Sequence, residues 1–306
     1  IPLAGVRTAE AGTTEDSGKK LKIVTTIFPE YDWTRAVLGD READVDLTML
    51  LDNGTDLHSF QPAVKDIMKV SSCDLLIYVG GESDQWVESV LKSAPEVETF
   101  RMTDAVSLLD EEVTEGMQNA GEHDHDEEEH EDEYDEHVWT SPDNASAIVK
   151  ALGKRAAELF PENADSVTAN ADSYAGKINE LDAKFAELLS GEERYFIFGD
   201  RFPLLYFCRE YDLDYRAAFH GCAGDTEPSL ATLKYLIDLV NEQHIPVVYT
   251  IELSSRKVAQ AIAETTGAQV RTFHSCQTVS RAEFDGGATY ISLMTANAAA
   301  LKEGLS

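Results

Sequence analysis

Short apolar runs rich in β-branched and aromatic residues alternate along this chain with stretches whose apolar positions recur every three to four residues. In the first half the runs at Lys22–Phe28, Val45–Leu51 and Asp74–Val79 predict strands, with a weaker one at Val97–Met102. A helix is expected from about Glu82 to Ser93. In the second half strands are predicted at Tyr195–Phe198, Tyr215–Phe219, Val247–Ile251 and Val270–Phe273, with helices near Ser229–Gln243, Ser255–Thr266 and Tyr290–Glu303. Strands that alternate with helices form βαβ units and parallel sheets. The pattern therefore predicts two small α/β lobes of similar plan.

Between them the strand signal stops. Pro142 suits the first turn of a helix, and a longer helix follows Pro161, with Val167, Tyr174, Ile178, Leu181, Phe185, Leu188 and Leu189 at helical spacing. Some 25 helical residues would span about 38 Å, enough to cross both lobes. The expected organisation is a flexible tether at 1–19 and a first lobe at 20–160, a linker helix at 161–190 and a second lobe at 191–306. The first lobe would carry a His- and acid-rich loop at 121–136.

Composition narrows the function. With 57 acidic and 25 basic residues, the formal charge is −32. A nucleic-acid binder needs a basic face to displace counterions, so that class is set aside. Such a charge suits a protein that meets small cations or stays soluble in a salty exterior. No run approaches the ~18 apolar residues of a membrane span. None of the four cysteines forms a CxxC pair. Cys73 and Cys208 sit in apolar segments and read as core residues, whereas Cys222 and Cys276 each follow a small residue in a polar loop. These last two are the candidate disulfide, which would imply an oxidising compartment.

From Glu122 to His137 the chain reads EHDHDEEEHEDEYDEH, with four of its eight histidines among eleven carboxylates. Such a run cannot bury itself. A solubilising acidic insert would look similar, but interleaved imidazoles add the ligand type that takes transition metals. His123, His125 and His130 are thus candidate auxiliary metal ligands on a solvated loop.

Ligands of open parallel sheets bind in the loops that leave the carboxyl ends of strands. His58 lies in such a loop (DNGTDLHSFQP), His137 where the acidic run meets a helix, and His274 one residue past a strand. Three imidazoles suit Zn²⁺, although a lone loop histidine is more often a surface or capping residue.

The pairing of GTDLHSFQP with EHVWTSP after a His/Asp/Glu-rich insert resembles the cluster A-I substrate-binding proteins of metal ABC transporters, in particular the zinc-uptake branch. The resemblance runs from Lys20 to the end and includes TEPS at 226–229 and the closing TYISLMTANAAALKEGL. It implies two α/β lobes on a rigid helix and one metal in the cleft, with His58 and His137 matching the first-lobe ligands. The second lobe departs from the family pattern. Gly199 and Asp200 stand where a third histidine is expected, and His274 where a late carboxylate is expected. The expected site is therefore His58, His137 and His274, with Asp200 as the first candidate for a fourth position and His220 as the second. Asp56 and Glu252 are candidate orienting partners.

Imidazole-rich ligation favours Zn²⁺ over the harder Mn²⁺. The resemblance further implies an extracytoplasmic monomer, periplasmic or lipid-anchored, that delivers Zn²⁺ to a membrane permease. A receptor for manganese or another divalent metal, or an adhesin, is the alternative. A zinc metalloenzyme is a further one, but the chain has neither HExxH nor GxSxG.

Overall fold

The computed structural model describes residues 20–117, 134–191, 195–221 and 227–304. The 1–19 segment, the loop histidines His123, His125 and His130, and Cys222 lie outside these ranges.

In the first lobe, β1 (Leu21–Thr25), β2 (Val45–Met49), β3 (Leu75–Tyr78) and β4 (Glu98–Arg101) form a parallel sheet in the order β2-β1-β3-β4. Three helices connect them: α1 (Phe28–Leu38), α2 (Val64–Ser71) and α3 (Gln85–Ser93). The run that begins at Lys22 is not strand throughout. It ends at Thr25, and Pro29 starts α1 in its first turn, where proline's missing N–H costs nothing.

Helices α4 (Pro142–Leu159) and α5 (Ala164–Leu189) form the antiparallel spine. Ser141 caps α4 by accepting from the Asn144 N–H, and Pro142 stands in its first turn. Along α5, Val167, Ala171, Tyr174, Ile178, Leu181 and Phe185 are buried, which is the apolar stripe expected of a helix with one covered face.

The second lobe repeats the plan. Strands β5 (Tyr195–Phe202), β6 (Asp214–His220), β7 (Val247–Thr250) and β8 (Gln269–Thr272) form a parallel sheet in the order β6-β5-β7-β8. Around it lie α6 (Leu205–Glu210), α7 (Leu230–Glu242), α8 (Lys257–Thr266) and α9 (Arg281–Asp285), and α10 (Tyr290–Gly304) closes the chain. Helix α10 returns to the first lobe, where the Tyr290 N–H donates to buried Asp32 and the Tyr290 hydroxyl donates to the Trp139 carbonyl, both over 2.9 Å. One apolar cluster runs through both lobes and the spine, from Ile23 and Trp33 through Phe185 to Phe207 and Phe273. A shared core of this kind resists large hinge motion.

Candidate metal centre

Both sheets turn the carboxyl ends of their strands toward the cleft. The β2–α2 loop carries His58. It turns at Asn53 and Gly54, both at positive φ, and buried Leu57 anchors it. Asp56 then accepts the His58 backbone N–H at 2.9 Å, so this carboxylate orients the main chain and not the imidazole. Its other oxygen pairs with Arg201 of β5, across the cleft.

His137 arrives on a segment clamped from both lobes. The Asp135 N–H donates to the Leu109 carbonyl at 2.9 Å, and the Tyr206 hydroxyl donates to the Asp135 carbonyl at 2.7 Å. Two residues on, the buried Trp139 indole donates to the Ser275 carbonyl at 2.9 Å. The imidazole of His137 is fully buried.

The hydrogen bonds decide which ring nitrogens are free. His58 Nδ1 lies 2.9 Å from Ser83 Oγ and 3.2 Å from Glu136 Oε1, and His137 Nδ1 lies 2.9 Å from Asp135 Oδ1. A carboxylate accepts only, so in the neutral rings each Nδ1 carries the proton and each Nε2 keeps its lone pair. Those two Nε2 atoms face one another at 3.1 Å. Two neutral rings so turned cannot hydrogen-bond through Nε2, so the contact calls for a shared proton or a metal cation between the nitrogens. With Zn–N bonds of about 2.05 Å, a 3.1 Å separation corresponds to an N–Zn–N angle of about 98°. That is close to tetrahedral. Carboxylates behind the ligating imidazoles are the usual means of fixing tautomer and ring orientation.

Glu136, like Asp135, is not among the residues that the sequence singles out. Among the described residues, His58, Glu136 and His137 form the group whose ligand atoms lie within 4.8 Å of one another. Both Glu136 oxygens are held on the Nδ1 side of His58, by the Ser83 hydroxyl and the Ser83 N–H. Burial alone would raise its pKa, but the hydrogen bond from His58 and the charges of the two imidazoles outweigh that and hold it down at about 2. Burial would likewise make His137 less basic, yet the charge and hydrogen bond of Asp135, with Glu136, raise its pKa above the ordinary value. Behind this pair stand two more buried acids. Asp84 is raised to about 7, by desolvation first and then by Glu136, and Glu30 is raised well above the usual range by desolvation and Asp84.

The structure does not bring the remaining candidates into this cluster. His274 Nδ1 accepts the Cys276 N–H at 2.9 Å, which puts the neutral ring's proton on Nε2. That nitrogen is buried without a hydrogen-bond partner, 3.8 Å from Glu283 Oε1. Glu252 accepts from the Ser275 N–H and hydroxyl and reaches His274 only at 3.7 Å. Asp200 is tied to its own lobe, accepting from the Arg201 N–H at 2.9 Å, and desolvation raises its pKa. His220 faces Glu111 at 3.0 Å. Cys276 is a free, fully buried thiol, and Cys222, its expected partner, is outside the described residues.

Two glycines of the second lobe mark close packing, and the first accounts for the missing histidine. A Cβ on Gly199 would stand 2.5 Å from the Ala259 backbone in α8, so position 199 has no room for an imidazole. A Cβ on Gly221 would meet His137 Cε1 at 2.9 Å. The end of β6 therefore packs directly on the His137 ring.

A family model described as the periplasmic component A of the zinc-uptake complex matches residues 23–304. The chain belongs to the ZnuA family. It is 31% identical over 286 residues to the zinc-binding lipoprotein AdcA of Streptococcus pneumoniae strain R6, covering 93% of this chain and 56% of that protein. It thus spans about half the length of that relative. To the high-affinity zinc uptake system protein ZnuA of Bacillus subtilis it is 30% identical over 304 residues, covering 96% of this chain and 90% of that one. The Zn(II)-bound ZnuA-like domain of S. pneumoniae AdcA superposes with a TM-score of 0.76 at 26% identity, covering 94% of this chain and 99% of that one. The metal-dependent lipoprotein YcdH of B. subtilis gives 0.76 at 27% identity, covering 93% and 99%. The ZnuA-like fold of two parallel-sheet lobes agrees with the sequence expectation.

Proposed function

We propose that this chain is an extracytoplasmic receptor that captures Zn²⁺ on His58 Nε2 and His137 Nε2 and passes it to an ABC transporter permease. The observation that carries the reading is the pair of lone-pair-bearing nitrogens 3.1 Å apart, each backed by a buried carboxylate. The family membership and the zinc-binding names of the relatives support the choice of metal. Two imidazoles supply half of a tetrahedral shell. The remaining positions would be taken by water or by a second-lobe group, and His274 is the first to test. The His58 side chain is 7% exposed and His137 is fully buried, and the Asp56–Arg201 pair bridges the two lobes beside them.

Calorimetric zinc titration tests this. The full chain should show one tight site that survives deletion of residues 122–134 and is lost in His58→Ala and in His137→Ala. Loss of the tight site with the loop deletion, while His58→Ala binds normally, would contradict the proposal.

A further inference from the structure

The chain averages almost one carboxylate in five residues, yet from Leu57 to Cys73 it has a single one, Asp66. That one is buried and spent within its own helix, where it accepts the Ala63 N–H at 3.1 Å as a cap of α2. The exposed side chains of α2 are instead apolar and basic. Val64 is 75% exposed and Met68 65%, with Ile67 beside them at 38%. These stand at i, i+3 and i+4, on one helix face. Lys65 and Lys69 flank them and are exposed. Only Lys69 touches an acid among the described residues, and that contact, to Asp66, is 4.0 Å long. A face so free of negative charge stands out on a protein with a formal charge of −32.

The position of this face points to its partner. Val64 follows His58 by six residues, on the same connection between β2 and β3. Phe60 lies between them and packs edge-on against Trp86 of α3, with ring centroids 5.8 Å apart. The apolar face is thus continuous with the loop that holds one of the zinc-binding imidazoles. A partner docked on it therefore contacts the same connection that carries His58.

We propose that the α2 face, centred on Val64, Ile67 and Met68 and flanked by Lys65 and Lys69, is the docking surface for the recipient permease. The partner surface is an apolar patch with carboxylates at its edge, on the permease's extracytoplasmic side. Burying exposed apolar side chains supplies affinity, and pairing the two lysines with carboxylates supplies register. An anionic bilayer would also offer negative charge, but it would repel the rest of this acidic molecule. A protein partner with a local acidic rim avoids that cost.

The inference rests on the receptor reading, and the experiment separates the two. In cells whose only copy is a variant, uptake of radioactive zinc at limiting supply is compared for wild type, His58→Ala, Val64→Glu/Met68→Glu and Lys65→Glu/Lys69→Glu. Calorimetric zinc affinity is measured on each purified protein. The two α2 variants alter exposed positions, so both should fold and bind zinc within about twofold of wild type. Their uptake is expected to fall at least tenfold, toward that of His58→Ala. A photo-crosslinker at Met68 should then join the protein to the epitope-tagged permease in wild-type background and not in Lys65→Glu/Lys69→Glu. Normal uptake by both α2 variants overturns the docking proposal and leaves the receptor reading standing. Normal uptake by His58→Ala overturns both. Co-sedimentation of wild type, but not Val64→Glu/Met68→Glu, with phosphatidylglycerol vesicles would assign the face to membrane and also overturn the proposal.

Discussion

Glu136→Gln is the sharpest probe of how this site is built. The glutamine keeps size and shape, and its amide oxygen still accepts from His58 Nδ1, but the negative charge is gone. Glu136 is 1% exposed, so solvent cannot replace that charge. Its pKa falls from 4.5 to about 2, which corresponds to roughly 3 kcal/mol of preference for the charged form among the two imidazoles and Ser83. Part of that preference is shared with protonated histidine and does not act on zinc. Removing a carboxylate behind a ligating imidazole generally weakens metal binding by about 10–100-fold, or ~1.4–2.7 kcal/mol. Competition calorimetry at pH 7.5 should show a loss in that range, with one site still present. An affinity within twofold of wild type would refute the orienting role. A loss as large as that of His137→Ala would instead make Glu136 a direct ligand.

The remaining predictions concern protons and packing. Asp135→Asn removes the charge that raises the His137 pKa, so the pH at which zinc binding is half lost should move down while affinity at pH 8 weakens; an unchanged midpoint would deny that His137 is the competing proton site. The metal-free protein should be more stable at pH 6 than at pH 8 by about 1–2 kcal/mol in denaturant titrations. Asp84 ionises at 3.8 when unfolded but at about 7 when folded, so its cost to stability develops as pH rises through that window. The raised His137 acts in the same direction, since its contribution is full below 6.5 and is lost as pH climbs through its folded value; a stability maximum at pH 8 would contradict both assignments. Gly221→Ala forces a methyl against His137 Cε1 and the Phe202 carbonyl, and should weaken zinc binding at least tenfold while costing ~1–3 kcal/mol of stability. Binding within twofold of wild type would show that the β6 end does not set the ring position.

Much of the architecture was legible because parallel strands are buried on both faces and read as continuous apolar runs. The same continuity concealed α1, whose buried Ile27 and Phe28 extend the β1 run without a break, so that Pro29 was the only punctuation. Helix α2 was missed because it is eight residues long and its apolar side chains mostly face outward, leaving no core-facing stripe to detect. In the site, His58 was visible as a lone imidazole in a glycine-bearing loop, and His137 as the histidine that ends the acidic run just before a proline-started helix. Asp135 and Glu136 were not, because they close a run of carboxylates from which nothing in the sequence sets them apart. The departure at Gly199 was apparent, but its cause, the α8 backbone against that position, depends on packing between elements. Ring tautomers are equally tertiary. The Cys276 N–H that occupies His274 Nδ1 sets this imidazole apart from the other two.

Diffraction data collected on zinc-soaked crystals on either side of the zinc absorption edge would test the central claim most directly. The account predicts one strong anomalous peak within about 2.0–2.1 Å of both His58 Nε2 and His137 Nε2, with Glu136 still hydrogen-bonded to His58 Nδ1. A dominant peak elsewhere, with those two nitrogens uncoordinated, would contradict it.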